Sequence, residues 1–139
     1  MREKIEKEKL YRVLDANLNR AKEGLRVCEE VVRFIFNSSV KTKAFKDIRH
    51  QLTDALEVFK LSEIILARDI ENDVGKVSTA SELKRRDLKD IFYANIQRVK
   101  ESVRVLEEFT KLLNVKTSDK LKRLRYRIYE LEKKIASEF

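Results

Sequence analysis

Apolar residues recur every three or four positions along most of this chain, the spacing that lines up side chains on one face of a helix. Between residues 10 and 35 that register collects Leu10, Val13, Leu14, Asn17, Arg20, Ala21, Gly24, Val27, Cys28, Val31 and Ile35. Between 88 and 113 it collects Leu88, Ile91, Phe92, Asn95, Arg98, Val99, Ser102, Val105, Leu106, Phe109 and Leu113. The pattern predicts a first helix over about 4–36, ended by Asn37-Ser38-Ser39, whose side chains compete for the backbone. A second helix over about 41–60 turns Phe45, Ile48, Leu52, Ala55, Leu56 and Phe59 inward and His50 outward. A short helical segment starts at Ser62. Ser81 is placed to cap a third helix reaching about Leu113, and Ser118 to cap a fourth.

The long helices are related in sequence. Residues 16–30 and 94–108 are identical at nine of fifteen positions, and Leu121–Ile128 matches Phe45–Leu52 once the connection is shortened by two residues. Each copy is a helix, a turn and a second helix. The expected fold is therefore all-α: an antiparallel helical bundle built from two repeated hairpins with pseudo-twofold symmetry. It forms one domain over 1–139, with repeat one at about 4–60, a connection at about 61–81 and repeat two at about 82–137.

Both stripes are apolar except at the same two places, Asn17 and Arg20 in one, Asn95 and Arg98 in the other. Groups pointed inward need partners. Either they bond across the core and fix register, or they line a polar pocket between the repeats. Arg49 and Arg125, at equivalent places on the second helices, join them as a symmetric basic set. Arg26, Glu29 and Glu30 repeat as well, but fall on outer or flanking faces where ion pairs one helical turn apart account for them.

Composition narrows the chemistry. The chain has 139 residues, no Pro, two Gly, one Cys and one His, with 40% charged residues and a net charge of +8. Scarce helix breakers suit a bundle, and the charge density suits ion-paired helices of the kind enriched in thermophiles. Excess positive charge favours anionic partners, but the cations are interspersed with acids, which disfavours a nucleic-acid stripe. A lone Cys28 on the apolar face excludes an internal disulfide and suits a reducing cytoplasm. With His50 pointing outward, zinc sites and His-dependent triads are nearly excluded. The N-terminus is charged and no run approaches a membrane span, so a cytoplasmic protein without membrane contact is expected. A thin bundle that leaves apolar surface uncovered admits a homodimer.

The stretch from Ala67 to Glu82 is the longest irregular segment, and long connections in compact helical proteins are usually functional or mobile. It carries Arg68, Asp69, Asp73 and Gly75. Its alternative reading is a solvated linker whose Asp residues cap turns.

Several stretches together resemble one family: Asp15-Ala-Asn-Leu-Asn-Arg-Ala-Lys-Glu-Gly-Leu-Arg-Val27, Arg68-Asp69 with Asp73-Val74-Gly75, Ala94-Asn95 with Arg98 and Glu101, and Leu124-Arg125-Tyr126-Arg127. They are similar to the monofunctional hydroxymethylpyrimidine phosphate kinase family, a domain often fused ahead of thiamine-phosphate synthase. The resemblance spans essentially the whole chain. It implies ATP-dependent conversion of 4-amino-5-hydroxymethyl-2-methylpyrimidine phosphate to its diphosphate in thiamine biosynthesis, with ATP and Mg²⁺ as cofactors and thiamine-phosphate synthase as a partner. No synthase follows Phe139, which leaves a stand-alone form and a separated domain both open. The chain has no phosphate-binding Gly-rich loop, so such a reaction would rest on side-chain cations, a carboxylate-held metal and helix termini. The residues available are Asp69, Asp73 and Arg68 for catalysis, the two Asp also for the metal, and Asn17, Arg20, Asn95, Arg98, Arg49, Arg125 and Gly75 for substrate. The competing reading is a non-catalytic basic module that binds nucleic acid or a partner protein.

Overall fold

A computed structural model describes residues 2–139, apart from the side chain of Ile5. It is all-helical: α1 (Arg2–Glu30), α2 (Ser39–Ala55), α3 (Leu61–Leu66), α4 (Leu88–Thr110) and α5 (Val115–Ala136), with no strand among the described residues. The two longest helices form the central pair. Leu14, Leu18, Ala21, Leu25, Cys28 and Val32 line α1 and its extension, opposed by Phe92, Ile96, Val99, Val103, Leu106 and Thr110 of α4, all buried. Successive members alternate four and three residues apart, a seven-residue repeat that keeps a narrow seam facing one long partner.

That seam corrects the expected stripe. Leu18, Leu25, Ile96 and Val103 are buried, whereas Arg20, Ile35, Leu88, Arg98 and Phe109 lie at the surface. Two long helices packed along their length select the 3.5-residue period, and over several turns that shifts residues to the flanks relative to a 3.6-residue projection.

The pair is antiparallel. A Cβ at Gly24 would stand 2.7 Å from Val99 Cγ2 and 3.0 Å from the Asn95 carbonyl oxygen, while Cys28, four residues on, has its Sγ 3.8 Å from the Phe92 carbonyl oxygen. The backbones approach closely at Gly24, and a glycine there is a packing requirement. On the far side α2 packs against α1 and α5, and α5 against α4, closing a four-helix ring. The α2–α5 contact is also antiparallel: Arg127 donates to Gln51 Oε1 at 2.6 Å and Lys41 pairs with Glu138.

Each hairpin is fastened by a buried carboxylate. Arg49 Nε and Nη2 donate to Glu29 at 2.9 and 3.4 Å, and Arg26 Nη1 donates to it at 3.2 Å. Arg125 Nε and Nη2 donate to Glu107 at 3.0 and 3.4 Å, joined by Arg104. Both carboxylates are 3% exposed. Glu29, expected on an outer or flanking face, is therefore interior, and Arg49 and Arg125 are each held by a buried carboxylate between two helices.

The ends of the helices differ from expectation in instructive ways. The first helix closes through a wider π turn, Val31–Ile35, in which the Phe36 N–H donates to the Val31 carbonyl at 3.2 Å. Asn37 then adopts φ 51°, tolerated by its short polar side chain, and reverses the chain. The third long helix begins at Leu88, capped by Asp87, which accepts from the Asp90 N–H at 2.9 Å. Ser81 instead sits in a 3₁₀ turn, Ala80–Leu83, because the Lys84-Arg85-Arg86 run that follows offers nothing to bury. Asn114, not Ser118, caps α5 by accepting from the Thr117 N–H at 3.1 Å. Ser118 Oγ donates to the Glu107 carbonyl at 2.7 Å.

Candidate functional site

A groove of about 530 Å³ runs along the outer side of α1, under the segment that follows α3. Its floor is Arg12, Val13, Ala16, Asn17 and Arg20, one residue group per turn on a face turned away from α4. Its roof is Arg68, Asp69, Ile70 and Asp73. One ion pair holds the two together. Asp15 is buried and receives Arg68 Nε and Nη2 at 2.7 Å each, a bidentate geometry that fixes orientation as well as distance. Asn19 Nδ2 adds a third donor at 3.3 Å, and Arg12 Nη2 donates to the Asp69 carbonyl at 3.3 Å. The bond to Asp15 raises the pKa of Arg68 above its ordinary value, which strengthens the guanidinium's hold on its proton.

Five of the expected site residues meet here: Asn17, Arg20, Arg68, Asp69 and Asp73. Asn17 spends its Nδ2 on the Val13 carbonyl at 2.9 Å, which presents Oδ1 to the groove as an acceptor. Arg20 is exposed and has no ion-pair or hydrogen-bond partner among the described residues. Lys9 stands at the same rim. The groove thus offers a hydrogen-bond acceptor, two apolar patches at Val13 and Ile70, and cations not engaged with carboxylates.

The other expected residues lie elsewhere. Asn95 repeats the Asn17 arrangement, donating to the Ile91 carbonyl at 2.8 Å, but on the α4 flank outside the groove. Arg98 is at the surface of α4, Arg49 and Arg125 are bound to Glu29 and Glu107, and Gly75 lies beyond the groove in the exposed loop. Sequence reasoning missed Asp15, Arg12 and Lys9. The signal for Asp15 was a break in the repeat: Tyr93 occupies the equivalent place, so a buried acid is demanded only in the first copy.

The loop carboxylates accept hydrogen bonds from within their own loop. Asp69 accepts from the Asn72 backbone N–H at 3.2 Å and from Asn72 Nδ2 at 2.7 Å, and those bonds hold its carboxyl below the ordinary carboxylate range. Asp73 Oδ1 accepts from the Gly75 N–H at 2.9 Å. These are turn-capping bonds within the loop. The donor set is engaged in shaping the roof, and no group of three or more potential ligands occurs among the described residues.

Fold and groove together define a class, an all-helical domain with a polar cleft lined by Lys9, Arg12, Arg20 and Arg68 alongside Asp15, Asp69 and Asp73. The chain belongs to the ThiD2 family, which matches it over residues 12–134. It is 42% identical to a thiamine-phosphate synthase of a Nostoc species and 43% identical to that of a Synechocystis species, in each case across 88% of this chain. A thiamine-phosphate synthase of Rhodopirellula baltica is 40% identical across 94% of it. These alignments take in 34%, 35% and 36% of the relatives, so the chain spans about one third of their length. No solved structure matches. The setting is thiamine biosynthesis. The expectation of a phosphomethylpyrimidine kinase is corrected by these relatives, which carry the name of a different enzyme over nearly the whole of the matched chain. No helix among the described residues is long and apolar enough to cross a membrane.

Proposed function

We propose that this chain binds the phosphorylated pyrimidine precursor of thiamine phosphate in the Asp15–Arg68 groove and works beside a thiamine-phosphate synthase. The observation that carries the reading is the juxtaposition of unpaired Arg20 with the Asn17 acceptor in a groove whose roof is tied down by Arg68. A phosphate monoester is mostly dianionic at neutral pH and is best held by guanidinium donors. An aminopyrimidine ring presents an N–H donor to Asn17 Oδ1 and an apolar face to Val13 and Ile70. Membership of the family and relatives named for thiamine-phosphate synthase support the choice of pyrimidine.

Calorimetric titration with 4-amino-5-hydroxymethyl-2-methylpyrimidine phosphate and with the free alcohol tests it. Loss of one charge-assisted bond, at about 1.5–3 kcal/mol, corresponds to roughly ten- to hundredfold in affinity. The phosphate ester should therefore bind at least that much more tightly than the alcohol, and Arg20→Ala should remove most of the difference. Equal binding of the two compounds, or an unchanged preference in Arg20→Ala, refutes the assignment.

We infer also that the two hairpins are copies around a pseudo-twofold axis. Support comes from the paired Glu29–Arg49–Arg26 and Glu107–Arg125–Arg104 clusters, the identical seam spacing on α1 and α4, and the matching Asn17 and Asn95 bonds.

A further inference from the structure

The two hairpins are alike inside and unlike outside. In the second, Arg125 is enclosed by aromatic rings: it donates to Tyr129 Oη at 2.9 Å, and its guanidinium carbon lies 5.2 Å from the Tyr126 ring centre. Lys100 is paired with Glu132 at 3.0 Å, and Arg104 is shared between Glu107 and Glu108, the latter at 3.5 Å. Every cation of that cluster has an answer.

In the first hairpin the same cations recur with fewer answers: Glu29 holds Arg26 and Arg49, while Glu30, in the place of Glu108, makes no ion pair with Arg26 among the described residues. Lys22 stands where Lys100 does, but Leu56 replaces Glu132, and Lys22 has no partner among the described residues. His50 replaces Tyr126 and Thr53 replaces Tyr129. Removing two rings opens a groove of about 490 Å³, lined by Lys22, Glu23, Arg26, Arg49, His50 and Thr53. Beneath it two guanidiniums share the single Glu29 carboxylate, and Arg26 keeps about half its side chain in solvent. This lies on the α1–α2 side of the molecule and shares no residue with the Asp15–Arg68 groove.

We propose that this groove is a second anion site, taking the phosphate or diphosphate group of a small molecule. Lys22 and Arg26 supply charge, and Arg49, already fixed by Glu29, supplies a preorganised donor plane at the back. The Thr53 hydroxyl and the His50 ring lie at the mouth. Glu23 on the rim and Glu29 beneath set a limit: they repel an extended polyanion such as RNA more than a compact anion held at Lys22 and Arg26.

The test is an amide-resolved NMR titration of the intact chain with inorganic pyrophosphate at low ionic strength, followed by calorimetry. Saturable shifts at Lys22, Arg26, His50 and Thr53 are expected, and Lys22→Ala should weaken binding by roughly tenfold or more. The double variant His50→Tyr/Thr53→Tyr installs the residues of the second hairpin; it should keep its helical content and lose saturable binding. If that variant fails to fold, the wild-type shift map together with Lys22→Ala decides. Shifts confined to the Asp15–Arg68 groove, no saturation up to about 10 mM, or Lys22→Ala binding as tightly as the wild type would each overturn the proposal. So would a salt-sensitive complex with an RNA oligonucleotide in the absence of pyrophosphate binding.

Discussion

Glu29→Gln removes one negative charge from a carboxylate that is 3% exposed, while nearly conserving its volume. Three donated hydrogen bonds are affected, two from Arg49 and one from Arg26. The amide oxygen can keep two of them at most, its NH₂ group repels any donor facing it, and two guanidiniums are left without the charge between α1 and α2 that they shared. Breaking a buried pair by removing one partner costs about 3–5 kcal/mol. Arg26, with 54% of its side chain exposed, can turn to water and recover part of that, so about 2–4 kcal/mol is expected here. Glu107→Gln should fall at the upper end, since Arg125 is more enclosed and tied to Tyr129. Against a total stability of ~5–15 kcal/mol and a urea slope of ~1–3 kcal/mol per molar, each variant should lower the unfolding midpoint by about 1–2 M. The control is Glu108→Gln on the surface, where the ion pairs with Lys111 at 2.9 Å and Arg104 at 3.5 Å are solvated and contribute little. Urea unfolding followed by circular dichroism reads all three. If Glu29→Gln moves the midpoint no further than Glu108→Gln, the buried carboxylates do not hold the hairpins together.

Gly24→Ala gains up to about 1 kcal/mol of helix propensity but drives a methyl against Val99 Cγ2 and the Asn95 carbonyl oxygen. A rigid backbone oxygen cannot yield, so overpacking of about 1–3 kcal/mol wins, and thermal unfolding should show a net loss; a stabilised variant would contradict the close α1–α4 approach. Cys28 has its thiol pushed from its ordinary 9.0 up to about 12, first by burial and then by the negative charge of Glu132. The native chain should therefore resist iodoacetamide at pH 8 and react once unfolded. Because the folded value lies above the unfolded one, the contribution of the neutral thiol to stability is complete below pH 9 and is lost as pH rises toward 12. Rapid labelling of the native chain at pH 8, or stability that holds level through that alkaline window, would contradict the buried position.

What the sequence by itself determined follows from local periodicity and from repetition. Apolar spacing and the near absence of Gly and Pro dictate helices. The repeated fifteen residues dictate that two of them share one pattern, and the exposed His50 and buried Cys28 follow from their places on that pattern. The gathering of Asn17, Arg20, Arg68, Asp69 and Asp73 was legible in part, because a charged irregular segment stood out from helical surroundings. Only the tertiary structure decided which face of each long helix is inside. A 3.6-residue projection treats a helix as alone, whereas α1 and α4 run along each other and settle on a seven-residue seam that turns Arg20 and Arg98 outward. It also decided the fate of Glu29, Arg49, Glu107 and Arg125. A carboxylate at the edge of one stripe and a guanidinium at the edge of another become an interior pair only when two helices meet at a fixed angle, and no spacing within one helix encodes that meeting. The same holds for Asp15 and Arg68, 53 residues apart, whose contact depends on where α3 sets the chain down beside α1.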